Sequence, residues 1–468
     1  MTNRGLDPER LSSLDDHGHR KQMIPGEVRG FYRRRRTQVQ AVLIFIFLFL
    51  PWIPIGGQQA ILLDVGARRF LFFGLELYAH DAPLIFFLIA TLAIGLAFMT
   101  AVWGRVWCGW ACPQTVFIDG VFRRIEFWTE GNYLERRKMA RSPLSPIGFA
   151  RKVLKWILFV LTSSLIAHSF AAYFVGGDRL LRMMYGSPTA NWSYFVMISA
   201  VTLLILFDFA WFREQFCIIM CPYGRFQGLL MDRKSLAVLY DESRGEPRRG
   251  LIAPEKKQGD CVACNRCVEV CPTGIDIRQG LQMECINCTA CMDACDEIMT
   301  KVQKPKKLIR LASLDGKGWT LKSPRALLYL ALLVLLTAGL SISIAIRSPV
   351  DMVVLRVPGE LYQELSGTDG QPGFINHLKL HLKNQTGQKT LLRISARSES
   401  AGELELTTAV NPLPLLPGED RAVHLFIRFQ RDILDEHGEN LIKIKIENQI
   451  AELPFQVQKS YRLLGPSR

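Results

Sequence analysis

Residues 261–295 read C-V-A-C-N-R-C-V-E-V-C-P, then a short spacer, then C-I-N-C-T-A-C-M-D-A-C-D. In each run three cysteines recur at every third position and a fourth follows four residues later. Thiolates are soft, electron-rich ligands, so this spacing predicts the corners of iron–sulfur cubes. In two-cluster proteins the fourth cysteine of each run ligates the other cluster. The spacing therefore predicts two [4Fe–4S] clusters, with ligand sets Cys261, Cys264, Cys267 and Cys295 (cluster 1), and Cys285, Cys288, Cys291 and Cys271 (cluster 2).

Two other uses of these cysteines are a structural zinc site and a disulfide framework. Structural zinc sites usually pair two C-x2-C knuckles across a longer gap and rarely use two consecutive four-cysteine runs. The second run has Asp296 where the first has Pro272, but it keeps all four of its ligands. The bacterial ferredoxin pattern is therefore the favoured interpretation of the segment.

The whole chain has the composition of an integral membrane protein. It has 468 residues, a mean hydropathy of +0.14 and a pI near 9.3. Its net charge of +14 could instead indicate nucleic-acid binding, but no helix-turn-helix, RNP or zinc-finger pattern accompanies it. The basic residues cluster beside apolar stretches, where they serve as anchors in the lipid bilayer. The sequence therefore predicts a membrane protein that does not bind nucleic acid.

Five apolar stretches approach or exceed the ~20 residues that a helix needs to cross the hydrocarbon core. They are 39–55, 83–103, 153–175, 193–212 and 326–346. Residues 69–75 are too short to span and are expected at the interface or as a re-entrant segment. The first apolar run starts too late and is too long for a cleavable signal peptide. The fold class predicted is thus a polytopic α-helical membrane protein.

The distribution of basic residues predicts the orientation of these spans. Lysines and arginines fill residues 33–36, the loop 104–152 and the loop after span four, whereas the opposite loops carry few. By the positive-inside rule those three segments are cytoplasmic and residues 347–468 face outward. None of the 12 cysteines lies in an outward segment, and cytoplasmic thiols stay reduced. Disulfides are therefore not expected.

Residues 347–468 change character from helical to strand periodicity. Apolar and polar residues alternate in 377–383, 391–396, 403–407, 423–429 and 441–447, with turn residues between these runs. This pattern predicts an antiparallel β-sandwich of immunoglobulin-like type. A docking or shielding role without chemistry is expected for it. The predicted units are a basic cytoplasmic tail (1–38), a four-helix membrane region (39–212), a cytoplasmic ferredoxin-type domain (213–324), a fifth transmembrane helix (325–346) and the outward domain (347–468).

A second group of cysteines lies at the cytoplasmic ends of spans two and four. W-C-G-W-A-C-P (107–113) and F-C-I-I-M-C-P (216–222) are both C-x3-C-P motifs. Residues i and i+4 share a helix face, so each pair can present two sulfurs together, and the proline then disturbs or ends the helix. If spans two and four pack side by side, four thiolates could bind copper, hold a further cluster or cycle between dithiol and disulfide. The plain alternative is that they fill gaps as small apolar residues. The four are Cys108, Cys112, Cys217 and Cys221.

Taken together, G-R-V-W-C-G-W-A-C-P-Q-T-V, R-E-Q-F-C-I-I-M-C-P-Y-G-R-F-Q, C-P-T-G-I-D-I-R and E-C-I-N-C resemble the cytochrome c oxidase accessory family CcoG, also called FixG or RdxA. The resemblance runs from about residue 25 to the end. It implies a polyferredoxin of the bacterial inner membrane with a periplasmic C-terminal domain. It further implies a cupric reductase that converts Cu(II) to Cu(I) for oxidase assembly, with oxidase-assembly copper proteins as partners. The four C-x3-C-P cysteines would then be the catalytic copper-handling or additional redox site.

Two other functions fit parts of the chain: a quinol-linked subunit like the nitrate-reductase polyferredoxins, and a non-catalytic assembly scaffold. Oligomeric state is open, a homodimer included. Several residues outside the cysteine groups are also candidates. Asp208 could steer metal or make an interhelical hydrogen bond, and His168 is a weak haem ligand candidate. Met183 and Met184 could touch copper but are expected to pack at the surface, and His80 and Asp81 are expected at a solvated interface.

Overall fold

The computed structural model describes residues 23–55, 57–78, 81–141, 145–249, 258–313, 323–365, 373–386, 388–398, 402–450 and 453–466. His80 and most of the predicted tail 1–38 lie outside these ranges. The chain forms two compact units, one of residues 1–68 and 83–340 and the other of residues 69–82 and 341–468. The loop between the first two spans is thus divided between the units.

The α-helices are α1 (Phe31–Phe49), α2 (Ala82–Trp103), α3 (Val106–Trp110), α4 (Pro113–Phe117), α5 (Arg123–Glu130), α6 (Tyr133–Arg141), α7 (Pro146–Val175), α8 (Gly177–Tyr185), α9 (Trp192–Leu206), α10 (Pro222–Leu230), α11 (Glu242–Gly245), α12 (Arg266–Glu269), α13 (Ala290–Lys301) and α14 (Pro324–Ala345). Three π-helical segments span Ile118–Phe122, Phe207–Phe212 and Phe216–Met220. Short 3₁₀ turns span Leu50–Trp52, Ile277–Gln279 and Arg431–Ile433.

Within the described residues, four helical stretches are long and apolar enough to cross a membrane: Pro83–Trp103, Pro146–Val175, Trp192–Phe212 and Pro324–Ala345. They correspond to predicted spans two to five. The predicted first span, 39–55, differs because its helix starts at Phe31, includes four arginines, and ends at Phe49. Its apolar part still packs beside α7, where Phe47 meets Tyr173 and the Tyr173 hydroxyl donates to the Phe47 carbonyl at 3.0 Å. Beyond it Gln59 hydrogen-bonds the Ala172 carbonyl at 3.0 Å, near the end of α7.

The ferredoxin segment is framed by two strands that the cysteine spacing does not reveal. β6 (Leu236–Tyr240) precedes the cysteines and pairs antiparallel with β7 (Ile309–Ser313), which follows them. Their side chains join a core with Met299, Leu308 and several cysteines. The strands therefore close the segment into a domain around its own ligands. Strands β1 (Pro54–Ile55), β2 (Gln58–Gln59), β3 (Ile61–Asp64), β4 (Arg69–Phe72) and β5 (Leu75–Tyr78) lie earlier, between α1 and α2.

Residues 350–464 of the second unit form the expected antiparallel sandwich. The strands are β8 (Val350–Arg356), β9 (Gln363–Leu365), β10 (Gly373–Asn384), β11 (Thr390–Ser398), β12 (Gly402–Thr408), β13 (Leu413–Leu415), β14 (Asp420–Gln430), β15 (Glu439–Asn448) and β16 (Gln456–Leu464). All five predicted runs are strands. Their order is β16-β15-β11-β12-β14-β10-β8, with β13 beside β11 and β9 beside β10. Along the long strands every second side chain is buried, and these side chains together form one apolar core.

The second unit also contains residues 69–82, which changes the interpretation of that segment. Residues 69–75, expected at the interface or as a re-entrant stretch, instead belong to the antiparallel hairpin β4–β5. Asp81, expected in a solvated interface, is largely buried and pairs with Arg347 at 2.8 Å. The pairing satisfies a carboxylate that burial would otherwise destabilise. The prediction of a solvated Asp81 is therefore wrong.

Candidate iron–sulfur and thiol centre

A first cavity of about 340 Å³ lies inside the ferredoxin domain and is lined by Cys261, Cys264, Cys267 and Cys295. The rest of its wall is mostly apolar, with Tyr240, Met299, Leu308 and Ile309. The four cysteines come from opposite ends of the segment, since Cys295 follows Cys267, the last of the other three, by 28 residues. The chain fold thus groups the same four sulfurs that the spacing rule assigns to cluster 1.

A second cavity of about 360 Å³ is lined by Cys271, Cys285, Cys288 and Cys291. Its wall also includes Cys267, which lines the first cavity as well. The two cavities are therefore neighbours that share one cysteine wall. Apolar residues complete the lining, among them Val238, Ile275, Ile277 and Ile286. These are the four sulfurs that the spacing assigns to cluster 2.

The backbone of both cysteine loops follows one repeated course. The residues two and four places after the first cysteine of each run have left-handed φ angles between 51° and 62°, and they are Ala263, Asn265, Asn287 and Thr289. This conformation is strained for residues other than glycine and persists only where the surroundings impose it. Wrapping three thiols of a C-x2-C-x2-C run around one centre is such a surrounding. The repeat indicates that the two loops hold the same kind of group.

The electrostatics of the cavities favour ligands bound to iron over free thiolates. Burial raises the pKa of Cys267 to about 11 and those of Cys285 and Cys295 to about 12. Ionising such buried thiols needs a cationic partner inside the cavity, and cluster iron supplies that charge. Arg278 beside Cys267 and Arg105 beside Cys285 contribute further positive charge. The donor set and the lining therefore fit two [4Fe–4S] clusters.

The first C-x3-C-P motif is built from two short helices, not one continuous helix. Cys108 lies in α3, while Cys112 is the N-cap of α4 and Pro113 is its first residue. Proline is well tolerated there, because the first turn lacks an acceptor for its missing N–H. Thr115 ties the motif together by donating to the Cys108 carbonyl at 2.6 Å and the Cys112 carbonyl at 3.1 Å. The single helix face expected from the spacing is thus replaced by two short helices joined by a turn.

The second motif has the same form. Cys217 lies in the π-helical segment Phe216–Met220, and Cys221 is the N-cap of α10 with Pro222 as its first residue. Cys112 and Cys221 have closely similar extended backbone angles, with φ/ψ of −61°/129° and −71°/112°. The two C-x3-C-P motifs therefore share one cap geometry. π-Helical segments in proteins are frequent at functional sites.

The four thiols of the two motifs lie close enough to influence one another. Burial raises the pKa of Cys108 to about 12, and the neighbouring Cys112 and Cys221 add to the rise. Cys217 is shifted in the same direction by burial first and then by Cys112 and Cys108. We call these four cysteines the thiol site. Among the described residues, no three His, Cys, Asp or Glu side chains converge closely enough to hold a single metal ion.

Polar side chains that the sequence does not single out line the thiol site. Gln227 donates from Nε2 to Cys108 Sγ at 3.1 Å and joins the two motifs directly. Its Oε1 and Trp110 Nε1 are buried without a hydrogen-bond partner in the described part of the chain. Orphaned buried polar atoms mark places where a further group completes the hydrogen bonding. The thiol site therefore has the character of a binding site as well as a packing interface.

The thiol site touches the loop of the second ferredoxin cavity through Gly109. The Gly109 backbone packs so closely that a Cβ there would meet the Ile286 carbonyl oxygen and lie 2.9 Å from the Cys288 nitrogen. Arg36 Nε donates to the Gly109 carbonyl at 2.6 Å and holds it in place. Arg105, four residues before Gly109, donates to the Met283 carbonyl. The segment between Cys108 and Cys112 is thus in van der Waals contact with the segment between Cys285 and Cys288.

The remaining sequence candidates take mainly structural positions. Asp208 accepts from Gln114 Nε2 at 3.0 Å, which is the interhelical hydrogen bond considered from sequence. His168 Nδ1 lies 2.8 Å from the Ser164 carbonyl oxygen in its own helix. Met183 and Met184 lie in α8, and Met184 is exposed. These positions favour the structural alternatives for Asp208 and His168.

A largely buried network of ion pairs lies beside the thiol site, where its member Glu214 is close enough to influence Cys217. Asp119 pairs with Arg33, with Arg36 at 3.1 Å and with Arg123 at 3.6 Å, and Arg123 also pairs with Glu214 at 2.5 Å. Burial alone would raise the pKa of Asp119, but the three arginines outweigh it and hold that pKa well below its usual range. The network links α1, the loop 104–152 and the residues before Cys217. The network therefore holds these three segments together.

We expect the Asp119→Asn substitution to lower the free energy of unfolding of the unit formed by residues 1–68 and 83–340 by roughly 3–5 kcal/mol. The reason is that Arg33, Arg36 and Arg123, of which the last two are largely buried, lose their shared carboxylate. Because the pKa of Asp119 is depressed in the folded state, its carboxylate stabilises the protein above about pH 4, the ordinary aspartate pKa. That stabilisation is lost as the pH falls from about 4 towards the folded-state pKa. The variant should therefore also lose part of the acid sensitivity below about pH 4. Thermal unfolding in detergent at several pH values measures both effects.

The matched control is Glu135→Gln, since the Glu135 side chain is half exposed and its ion pair with Arg151 is long, at 4.0 Å. This change should stay within about 0.5 kcal/mol of the parent protein. Equal melting temperatures for the Asp119 and Glu135 variants would show that the network does not stabilise the unit.

Comparison with known families adds three matches along the chain. Residues 85–132 match a 4Fe-4S binding domain, residues 212–314 match a 4Fe-4S dicluster domain, and residues 340–466 match the "IG-like fold at C-terminal of FixG". The first match includes Cys108 and Cys112, and the second includes Cys217 and Cys221 with all eight ferredoxin cysteines. Apolar helices, iron–sulfur cavities and matches to iron–sulfur domains together define a membrane-associated polyferredoxin that transfers electrons.

Individual relatives place the chain more closely. Protein RdxB of Cereibacter sphaeroides (strain ATCC 17023) is 35% identical over 85% of this chain and 86% of its own length. Nitrogen fixation protein FixG of Rhizobium meliloti (strain 1021) is 33% identical over 66% of this chain and 61% of its own length. The chain belongs to the FixG/RdxA family. The ferredoxin-type protein NapH of Haemophilus influenzae is a more distant relative, 25% identical over 52% of this chain and 87% of its own length.

Proposed function

We propose that this protein reduces Cu(II) to Cu(I) at the thiol site, with electrons from its iron–sulfur domain, and that the Cu(I) serves assembly of a C-type haem–copper cytochrome c oxidase. The observation that carries the proposal is the contact of Gly109 with the Ile286–Cys288 backbone. It joins a group of soft thiols directly to the wall of an iron–sulfur cavity. A [4Fe–4S] cluster, when bound, gives up one electron at a time, which is the number that Cu(II) requires.

The thiol site and the arginines beside the second ferredoxin cavity suit two successive steps of this reaction. Thiolates are soft ligands that prefer Cu(I), so binding at Cys108, Cys112, Cys217 and Cys221 favours the reduced product. Two arginines lie near the second ferredoxin cavity. The charge of Arg105 lowers the pKa of Cys285, and Cys288 contributes to raising the pKa of Arg123. Positive charge there stabilises the reduced state of any group held in that cavity, which favours its loading with an electron from a donor before copper is reduced.

The thiol site could alternatively hold a further cluster, and the match of residues 85–132 to a 4Fe-4S binding domain supports that alternative. Two clusters give about eight iron atoms per chain and three give about twelve. Iron, sulfide and copper contents of anaerobically purified protein separate the two arrangements. If a third cluster were bound by the four sulfurs of the thiol site, copper would be reduced beside that cluster and not on the sulfurs themselves.

We propose a membrane orientation in which the ferredoxin domain is cytoplasmic and the β-sandwich is periplasmic, in the bacterial inner membrane. The contacts of α1 with residues 109 and 119, together with the charge distribution, support one basic side. The hydrogen bonds from the Tyr32 and Arg33 backbones to Asp293, at 3.2 and 2.6 Å, bring the ferredoxin domain to that side too.

The direct test is to reduce the anaerobic protein with dithionite, remove the excess and mix it with Cu(II) by stopped flow. Reoxidation, seen as the return of cluster absorbance, should occur with copper alone, with one Cu(I) formed for each electron released. A second candidate function is electron exchange with a quinone, as expected for a quinol-linked electron-transfer subunit. Reoxidation that requires a quinone would support that candidate, and inertness to both oxidants would leave an assembly scaffold.

A further inference from the structure

The outer face of strands β10 and β14 carries two histidines in direct contact. His377 Nε2 lies 2.8 Å from His424 Nδ1, with His424 exposed and His377 partly exposed. The alternation of the strands puts them on the solvent side, because Leu378 and Leu425 next to them are fully buried in the core. The pair is thus an accessible arrangement of two imidazole nitrogens on a rigid sheet.

The sheet register and an aromatic neighbour hold this pair in place. His377 is directly opposite Phe426, and Lys379 is directly opposite His424, so the two histidines are diagonal neighbours across one strand pair. The His377 ring stacks on Phe426 with centroids 4.4 Å apart and planes 15° apart. The two imidazole rings have centroids 5.0 Å apart. Stacking restricts the ring of His377 and so reduces the entropy lost on binding a ligand.

We propose that His377 and His424 form a binding site for a divalent late first-row metal ion, with Cu(II) as the preferred ion. Imidazole nitrogens bind such metals at about 2.0 Å, so two nitrogens at adjacent corners of a square lie about 2.8 Å apart. The observed spacing therefore matches the square-planar or tetragonal geometry of Cu(II). Metal binding requires the two rings to rotate out of their mutual hydrogen bond so that both lone pairs converge on one ion, and water completes the coordination. Affinity for divalent ions rises to a maximum at Cu(II).

This site differs in chemistry from the thiol site. Residues 347–468 contain no cysteine, so copper held there meets no thiol that would reduce it. Imidazole suits Cu(II), whereas thiolates suit Cu(I). The proposal goes beyond the copper reduction proposed above and does not require it. A direct hydrogen bond between two histidines without any metal is the competing explanation of the same geometry.

The test uses the full-length protein with its clusters oxidised and its free thiols blocked by N-ethylmaleimide. Oxidised [4Fe–4S] clusters are diamagnetic, so electron paramagnetic resonance reports the added Cu(II) alone. We expect one Cu(II) per chain with nitrogen hyperfine coupling from two imidazoles. The His377→Ala and His424→Ala substitutions should each weaken its affinity at least about tenfold, since loss even of outer-shell partners costs about 10–100-fold. The control is His437→Ala, an exposed histidine outside these strands.

The proposal is overturned if the two-nitrogen signal persists in the His377→Ala and His424→Ala double variant, or if the parent protein shows no such signal. Both variants keep the buried strand residues, and an unchanged melting temperature without metal verifies their fold. Because thiols are blocked and clusters are oxidised, the result is independent of stopped-flow copper reduction. Failure of one proposal therefore leaves the other unaffected.

Discussion

Replacing Cys108 and Cys112 together by serine is expected to slow copper reduction on the order of 100-fold or more. The reason is that serine oxygen is a hard donor without affinity for Cu(I), and loss even of outer-shell partners costs metal sites about 10–100-fold. The ferredoxin cavities keep all eight of their own cysteines. Stopped-flow reoxidation by Cu(II) after dithionite reduction is the measurement, with cluster absorbance as the readout.

Iron and sulfide contents of the same variant separate the two models of the thiol site. With copper bound by the sulfurs, iron stays at the parent value, whereas with a third cluster about a third of the iron is lost. The control variant carries Met183→Leu and Met184→Leu, which removes two other soft sulfur donors and should leave the rate unchanged. Normal turnover in the double cysteine variant would exclude the thiol site from the reaction.

The Gly109→Ala substitution is expected to slow electron transfer to copper about tenfold to a hundredfold while all twelve cysteines remain. The added methyl would meet the Ile286 carbonyl oxygen and the Cys288 nitrogen, both backbone atoms that cannot rotate away. The thiol site and the cysteine loop must therefore move apart. A misplacement of about 1 Å in an active site can cost about 10²-fold in rate. The maximal rate should fall while the copper concentration for half-maximal rate stays close to that of the parent.

Gly228→Ala is the matched control for this change. Gly228 lies in α10 near the same ferredoxin surface, but a Cβ there would be 3.8 Å from the Met283 side chain, an ordinary contact. That variant should react at the parent rate. Reduced-cluster paramagnetic resonance spectra give a second readout, because displacement of the Cys288 loop should alter the signal only in Gly109→Ala. Parent-like rate and spectra in Gly109→Ala would contradict a functional role for the contact.

The ferredoxin ligand sets and the β-sandwich strands could be predicted because their signals are local. Cysteine spacing is read within one segment, and the cavities group the same sulfurs. Period-two alternation depends only on which face of a strand is buried, and all five predicted runs are strands. Apolar length likewise identified the four long membrane helices. Each of these features is decided by residues close together in the sequence.

The remaining features depend on residues that are distant in the sequence. Gly109 meets Ile286, and Asp119 meets Arg33 and Arg36, across intervals that no periodicity encodes. The C-x3-C-P spacing predicts a single helix face for each cysteine pair, but proline at the first turn starts a new helix as readily as it ends one. The basic residues of α1, assigned from sequence to anchoring, also act as partners for buried carboxylates. Composition indicates the charges but not their partners.

The grouping of residues 69–82 with residues 341–468 determines how the C-terminal portion can be produced as a separate fragment. A fragment that begins at Ser341 would lack the β4–β5 hairpin and would leave Arg347 without the carboxylate of Asp81. Such a fragment is expected to be less stable than the same portion within the whole chain. Chimeras between relatives should therefore exchange the two stretches as a pair, even though more than 250 residues separate Ala82 from Ser341 (341 − 82 = 259).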